Sequence, residues 1–223
     1  MVGDQEGRDH VFRTLAEHWD GSAWSVVPTP NPGSNGDHLY AIDAVSPDNV
    51  WAAGQQLGGD SPDQGLVEHW DGQKWSVVPV PTPAAASLVM LDGITASASQ
   101  VWVAGEADSP EGGGQPLVEG YQNGTWTIAR LPTIPDGSNW TNLWGITMAG
   151  GSVWAVGTYV NPATDNNNDL VLQGTNGSWS IDPAPNPGSG SNILGGITNV
   201  DGQLWSAGIY DNGGSELPLI EHR

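Results

Sequence analysis

The sequence predicts an all-β protein, a β-propeller built from four-stranded antiparallel blades, on three observations. Two tryptophan series keep one beat: Trp24, Trp75, Trp126 and Trp179 are 51, 51 and 53 residues apart, and Trp51, Trp102, Trp154 and Trp205 are 51, 52 and 51 apart. Every repeat holds four strand-length segments separated by turn signals, with no helical pattern between them. The composition, with Gly 32, Pro 17, Trp 12 and only 13% charged residues, is that of a turn-rich β protein whose core leans on Trp and Val. A meander returning about every fifty residues marks a propeller, in which each unit is a radial blade that buries both faces against its neighbours. A strand-plus-helix solenoid is excluded by the missing helices, and a single sandwich has no need of such regular repetition.

The elements follow in order. In the unit around Trp102, segment A is Leu91–Ala96, B is Val101–Gly105, C is Leu117–Tyr121 and D is Trp126–Ala129. A third series, Ile42, Ile94, Ile146 and Ile197, opens each unit. The A-to-B links are short turns such as Ser46-Pro47-Asp48-Asn49 and Val200-Asp201-Gly202-Gln203. The C-to-D links are Asp20-Gly21, Asp71-Gly72, Asn123-Gly124 and Asn176-Gly177, dipeptides that tolerate the positive φ of a two-residue hairpin. The hairpin text LVEHWDGQKWSVVP at Leu66–Pro79 has near-copies at Leu15, Leu117 and Leu170.

The whole chain, 1–223, is expected to be one domain, with repeats at about 39–81, 88–132, 143–185 and 193–223 plus a partial unit at 12–30. Gly3 aligns with Gly54, so the N-terminus falls at the end of a B strand. Four blades close most simply if the N-terminal C and D strands complete the blade begun by Ile193–Tyr210. The surplus C strand at Leu217–Arg223 then competes with Thr14–Trp19, stacks elsewhere, or swaps into a second molecule. A larger ring is the rival arrangement.

The text V-W-A-V-G followed by E-H-W-D-G-x-x-W-S-x-V-P resembles a bacterial Trp-rich repeat group of propeller type, distantly like the kelch and Asp-box propellers, over essentially the whole chain. Kelch blades resemble it in period, but their Gly-Gly doublet is a single glycine here: Gly54, Gly105, Gly157 and Gly208. Asp-box hairpins place a spacer after the Asp that Asp20-Gly21-Ser22-Ala23-Trp24 lacks. The resemblance implies the propeller class.

Charge excludes some partners. With 25 acidic and 5 basic residues, net −20, the chain repels a nucleic-acid backbone and anionic lipid. No stretch approaches the ~20 apolar residues of a membrane span, and Met1-Val2-Gly3-Asp4 lacks the regions of a signal peptide. Richness in Trp, Asn, Thr, Gly and Pro with almost no lysine suggests an extracellular or cell-surface domain whose leader is not present in this chain. Adaptation to salt is the other reading of the acidity. With Cys 0, disulfides and thiolate chemistry are ruled out.

Propeller topology sends the B-to-C and D-to-A loops to one face, and most of the acid goes with them. That face receives Asp4, Glu6, Asp9, Asp37, Asp60, Asp63, Glu106, Asp108, Glu111, Asp136, Asp165, Asp169, Asp211 and Glu216. The opposite turns hold Asp20, Asp48, Asp71 and Asp201. Oxygen ligands at short spacing suit Ca²⁺, with Asp60, Asp63, Asp165, Asp169 and Asp211 as candidates; solvated turn residues are the alternative. Residues that break the repeat point to a ligand site better than residues that obey it. The irregular aromatics Tyr40, Trp140, Trp144, Tyr159 and Tyr210 stand beside Asp, Asn and Gly, the combination that stacks on a sugar ring and fixes its hydroxyls. Filling of irregular space between loops is the bland reading of the same residues. The repeated tryptophans are expected in the core, and Glu17, Glu68, Glu119 and Glu221 are expected to be satisfied by backbone or solvent. His18, His69 and His222 directly follow the acids of strand C, a spacing that puts neighbours on opposite faces rather than in one metal or acid-base site.

No nucleophile elbow, phosphate loop or dinucleotide fingerprint is present. The expectation is therefore a non-catalytic module that binds carbohydrate, a basic peptide or a cationic or polymeric surface ligand on the acidic loop face. The alternatives are a glycan-acting hydrolase or lyase using loop-face carboxylates, and a structural module assembling through its terminal strand.

Overall fold

A computed structural model describes residues 1–110, 112–134, 138 and 140–223; Glu111 and Asp136 of the acidic set lie outside them. The described residues form eighteen strands in five antiparallel sheets. The first comprises β1 (Val2–Glu6), β2 (Phe12–Trp19) and β3 (Trp24–Val27). The second comprises β4 (Gly36–Ser46), β5 (Asn49–Leu57), β6 (Gln64–Trp70) and β7 (Trp75–Val77). The third comprises β8 (Leu88–Ala96), β9 (Gln100–Asp108), β10 (Gly114–Gln122) and β11 (Thr125–Ile128). The fourth comprises β12 (Thr141–Ala149), β13 (Ser152–Asn161), β14 (Asn166–Thr175) and β15 (Ser178–Asp182), and the last β16 (Asn192–Val200), β17 (Gln203–Asp211) and β18 (Glu216–His222).

Each sheet is an uninterrupted meander, and successive sheets pack face to face in chain order. The inner strands β4, β8, β12 and β16 touch one another in turn. Glycine sets how closely: a Cβ on Gly93 would sit 3.1 Å from Gly145 Cα, and one on Gly145 the same distance from Gly196 Cα. Backbone therefore meets backbone along the axis. Apolar clusters fill each seam: Ala16 with Leu39, Ala52 and Leu66; Val67 with Val89, Leu91 and Val103; Val118 with Leu143, Leu170 and Leu172.

Four expectations are corrected. The terminal strands do not close a four-bladed ring: β1–β3 and β16–β18 are separate three-stranded sheets with no ladder between them. The first lacks an inner strand and the last an outer one. Tryptophan burial is uneven, because an end sheet has a neighbour on one side only; Trp51 and Trp154 are 7% and 8% exposed, against 55% for Trp24 and 39% for Trp205. The Asn-Gly turns are two-residue hairpins, with Asn123, Gly124, Asn176 and Gly177 all at positive φ. The Asp-Gly turns instead span four residues, because the carboxylates of Asp20 and Asp71 accept the amides of Ser22 and Ala23 and of Gln73 and Lys74. Lastly, Glu68 and Glu119 are fully buried and none of their carboxyl oxygens has a partner among the described residues. Their pKa values are pushed up to about 8, in both cases chiefly by burial, so neutralisation stands in for the missing hydrogen bonds.

Candidate functional site

One irregularity recurs in the four sheets that have an inner strand. The ladder between that strand and the next skips a residue at Leu39/Ala41, Leu91/Gly93, Leu143/Gly145 and Leu194/Gly196. The residues left over are Tyr40, Asp92, Trp144 and Gly195. A bulge bends its strand and re-aims the side chain it frees; Asp92, Trp144 and Gly195 immediately precede the glycines that meet along the axis, and Tyr40 precedes Ala41 at the same repeat position. The repeated glycine of the second strand belongs to the same device. A methyl on Gly54, Gly105, Gly157 or Gly208 would run into the carbonyl oxygen of His38, Met90, Asn142 or Ile193.

The bulges gather polar side chains from four sheets at the long-loop end of the axis. The Tyr40 hydroxyl donates to Gln55 Oε1 at 3.2 Å, Gln55 Nε2 donates to Asp63 Oδ2 at 3.5 Å, and Asp63 Oδ1 accepts the Gly58 amide at 2.9 Å. His38 stacks on Tyr40 with ring centroids 5.9 Å apart and places Nδ1 3.1 Å from Asp4 Oδ1. In the next sheet Asp92 Oδ2 accepts Asn142 Nδ2 at 3.2 Å. Glu106 is 7% exposed and its Oε2 has no partner among the described residues. A Cβ on Gly114 would lie 2.6 Å from that oxygen and 3.0 Å from Trp140 Cδ1, so the missing side chain lets Trp140 and Glu106 share one wall.

The electrostatics follow from burial among acids. Burial pushes Asp92 up to about 6, against the pull of the Asn142 amide. Burial, then the charges of Asp108 and Asp92, push Glu106 up to about 7. Burial, then Asp92, Asp4 and Asp63, push the Tyr40 phenol up to about 12. Near neutral pH this is a carboxyl, Glu106, that holds its proton more readily than Asp92 does, beside a neutral Tyr40.

Of the five aromatic candidates, Tyr40 and Trp140 join this cluster, and Trp144 holds the bulge position of the fourth sheet with its indole nitrogen buried and without a partner among the described residues. Tyr159 lies farther out, its hydroxyl accepting Asn168 Nδ2 at 3.2 Å, and Tyr210 packs on Val156, Leu194 and Leu219. The metal candidates are dispersed. Asp60 and Asp165 are exposed turn residues, Asp63 holds Gln55 and Gly58, and Asp211 Oδ1 accepts the Gly214 amide at 2.8 Å. Asp169 is buried, neither oxygen has a partner in hydrogen-bond geometry among the described residues, and it is pushed up to about 7 by burial and then by Glu221, against a weaker pull from the Leu194 backbone. Among the described residues no three His, Cys, Asp or Glu side chains group as metal ligands. Asp92 was missed by sequence reasoning, although it occupies the repeat position of Tyr40 and Trp144, where a change from aromatic to acid is a signal. Glu106 was sorted to the acidic face without a role.

No protein-family model and no curated protein matches the chain. Solved structures do. Trypanosoma rangeli sialidase, as its covalent intermediate with 2,3-difluorosialic acid, matches with TM-score 0.61 at 12% identity, over 99% of this chain and 40% of that one. YjhT matches with TM-score 0.60 at 11% identity, over 99% and 76%. Bombyx mori GH32 beta-fructofuranosidase with sucrose matches with TM-score 0.50 at 11% identity, over 78% and 42%. The chain spans about two fifths of the length of the sialidase and fructofuranosidase it matches. At these identities the likeness establishes the propeller fold. The expected non-catalytic binding module is corrected at this point: the sugar-bound structures that the chain matches are a sialidase and a beta-fructofuranosidase, both enzymes by name.

Proposed function

We propose that the chain carries the catalytic face of a glycan-acting hydrolase, with Glu106 as general acid and Asp92 as the ionised partner. The observation that carries this reading is the Asp92–Glu106 pair itself. The two carboxyls stand on adjacent strands of one sheet, Glu106 feels the charge of Asp92, and burial first of all raises them to about 6 for Asp92 and about 7 for Glu106. Glycoside hydrolysis needs one protonated carboxyl to give a proton to the leaving oxygen and one carboxylate to stabilise or attack the developing cation. Glu106, buried and without a partner, suits the first role. Asp92, oriented by Asn142 on the re-aimed bulge, suits the second. Tyr40 is read as a hydroxyl that contacts substrate rather than as a nucleophile, since a phenol pushed up to about 12 resists ionisation. Trp140, beside Glu106, supplies stacking surface.

The substrate class follows from charge. Among the described residues Arg13 pairs with Asp9 and Arg223 with Asp182, and no arginine hydrogen-bonds to Asp92, Glu106 or Tyr40. A carboxylate-bearing sugar has no clamp here, so the sialic acid of the sialidase structures is not carried across, and a neutral or amine-bearing glycan fits better. An extracellular or cell-surface location, expected from composition, is part of the same proposal.

The test is turnover on a panel of neutral pyranosides and furanosides across pH 4–9. Activity is expected to peak near pH 6–7, with its acid limb set by Asp92 and its alkaline limb by Glu106. Glu106→Gln is expected to lower kcat by about 10²–10⁴-fold and to remove the alkaline limb while the fold, followed by circular dichroism, is kept. A panel without turnover, or an active Glu106→Gln variant, would overturn the assignment.

A further inference from the structure

Two clefts lie on the short-turn face, opposite the carboxylate cluster, at two successive seams between sheets. The first, about 790 Å³, opens between the second and third sheets and is lined by Asn49, Trp51, His69, Gln100 and Tyr121, among others. The second, about 650 Å³, opens between the third and fourth sheets and is lined by Gln100, Trp102, Gln122, Asn176 and Trp179, among others. Both fall in the size range of small-ligand sites.

Their construction repeats. In the first, Trp51 forms a floor stacked on His69, ring centroids 4.2 Å apart, with Tyr121 tilted at 5.6 Å as a wall. In the second, Trp102 and Trp179 meet edge to face at 5.9 Å. In each, an amide two residues before the floor tryptophan accepts its indole N–H: Asn49 Oδ1 from Trp51 at 2.9 Å, and Gln100 Oε1 from Trp102 at 3.1 Å. Asn49 Oδ1 also binds His69 Nε2 at 2.9 Å, and burial lowers the His69 pKa, so the ring stays neutral. The carbonyl oxygens of these cleft-lining amides are thus occupied, and among the described residues their NH₂ groups make no hydrogen bond, which leaves them as donors for a ligand.

We propose that these two clefts are neutral-glycan subsites, distinct from the carboxylate cluster and independent of its catalytic reading. A sugar offers apolar C–H faces to aromatic walls and hydroxyl acceptors to amide donors. A cation is the competing ligand, since Asp48 and Asp71 stand at the first cleft and aromatic rings attract ammonium groups. Two observations decide against it. The Asp48 carboxylate is held by Ser46 and the Asp71 carboxylate by the amides of its own turn, and no carboxylate lines the second cleft. What the clefts share is aromatic surface and amides. Because Gln100 lines both, an oligosaccharide can engage two subsites at once, which raises avidity without a new contact.

The experiment titrates the whole chain with maltotriose, cellotriose, xylotriose and chitotriose, each up to about 10 mM, a range that reaches millimolar dissociation constants. Indole N–H resonances and melting temperature are followed together. Support is saturable shifts of the Trp51 and Trp102 resonances with at least one sugar, weakened tenfold or more in Tyr121→Ala and in Gln100→Ala and unchanged in Asp92→Asn. Gln100 is partly exposed, so its variant keeps the test informative if Tyr121→Ala fails to fold. The proposal is overturned if no sugar shifts those resonances, if binding is lost in Asp92→Asn but kept in Gln100→Ala, or if tetramethylammonium binds in preference to every sugar. Absence of glycosidase turnover has no bearing on this readout, so the two proposals fail separately.

Discussion

At the residue scale, the least expected feature is a carboxylic acid kept in an apolar seam without a partner. Glu119 occupies the strand position that Leu172 fills in the next sheet, so the fold does not require an acid there. Its folded pKa of about 8 stands against an ordinary value of 4.5. Between those limits the folded state keeps a proton that the unfolded state releases, so stability falls as pH rises through that window and is unaffected below it. Glu119→Leu is therefore expected to stabilise the chain by about 1–3 kcal/mol at pH 7, the cost of an unsatisfied buried polar group, and by less at pH 4. Urea melts at the two pH values measure this, and a variant equally stabilised at both would refute the ionisation argument. The same scale shows why the site was only partly legible. Tyr40, Trp140 and Trp144 stood out because they break the repeat. Asp92 and Glu106 were hidden among many acids, since burial, which separates a catalytic carboxyl from a solvated one, is not a property of the string.

At the scale of the element, the unit of construction is the bulged inner hairpin. The skipped residue and the facing glycine are two halves of one geometry: the bulge brings the residue 90 carbonyl over Gly105, and only a residue without Cβ tolerates it. Gly105→Ala is expected to cost roughly 2–4 kcal/mol, in the range of severe backbone and packing defects, and to displace both Asp92 and Glu106. Calorimetry together with turnover checks this, and an alanine variant of unchanged Tm would show that the strand yields without loss. The repeated Val-Trp-x-x-Gly text marked strands and beat correctly. The bulge was not legible, because a one-residue slip leaves the periodicity of each strand intact on either side of it. Turn type was half legible: Asn-Gly gave two-residue hairpins, whereas Asp-Gly drew two amides onto its carboxylate and opened the loop.

For the molecule as a whole, stability is set by how many faces each sheet buries. The second, third and fourth sheets are flanked on both sides, and the first and last on one side, which leaves Trp24 55% and Ile220 70% exposed. In a stack whose members touch only their neighbours, local opening free energy tracks the number of interfaces. Amide exchange is therefore expected to be slowest in β8–β10 and β13 and markedly faster in β2, β3, β17 and β18. Net charge adds a uniform term: at −20 the chain repels itself. Raising salt from about 0.01 M to about 0.15 M shortens the screening length from ~30 to ~8 Å, and is expected to raise the melting temperature while leaving the order of exchange intact. The closure of a ring was not legible from sequence, since either copy of the outer hairpin text could pair with either end, and sheet-to-sheet geometry rather than local pattern selects among them. The exchange experiment reads that geometry directly. Equal protection in all five sheets would mean that the end sheets have partners in solution and that their apolar faces are covered; a graded profile would mean that the arc stands with both end faces in water.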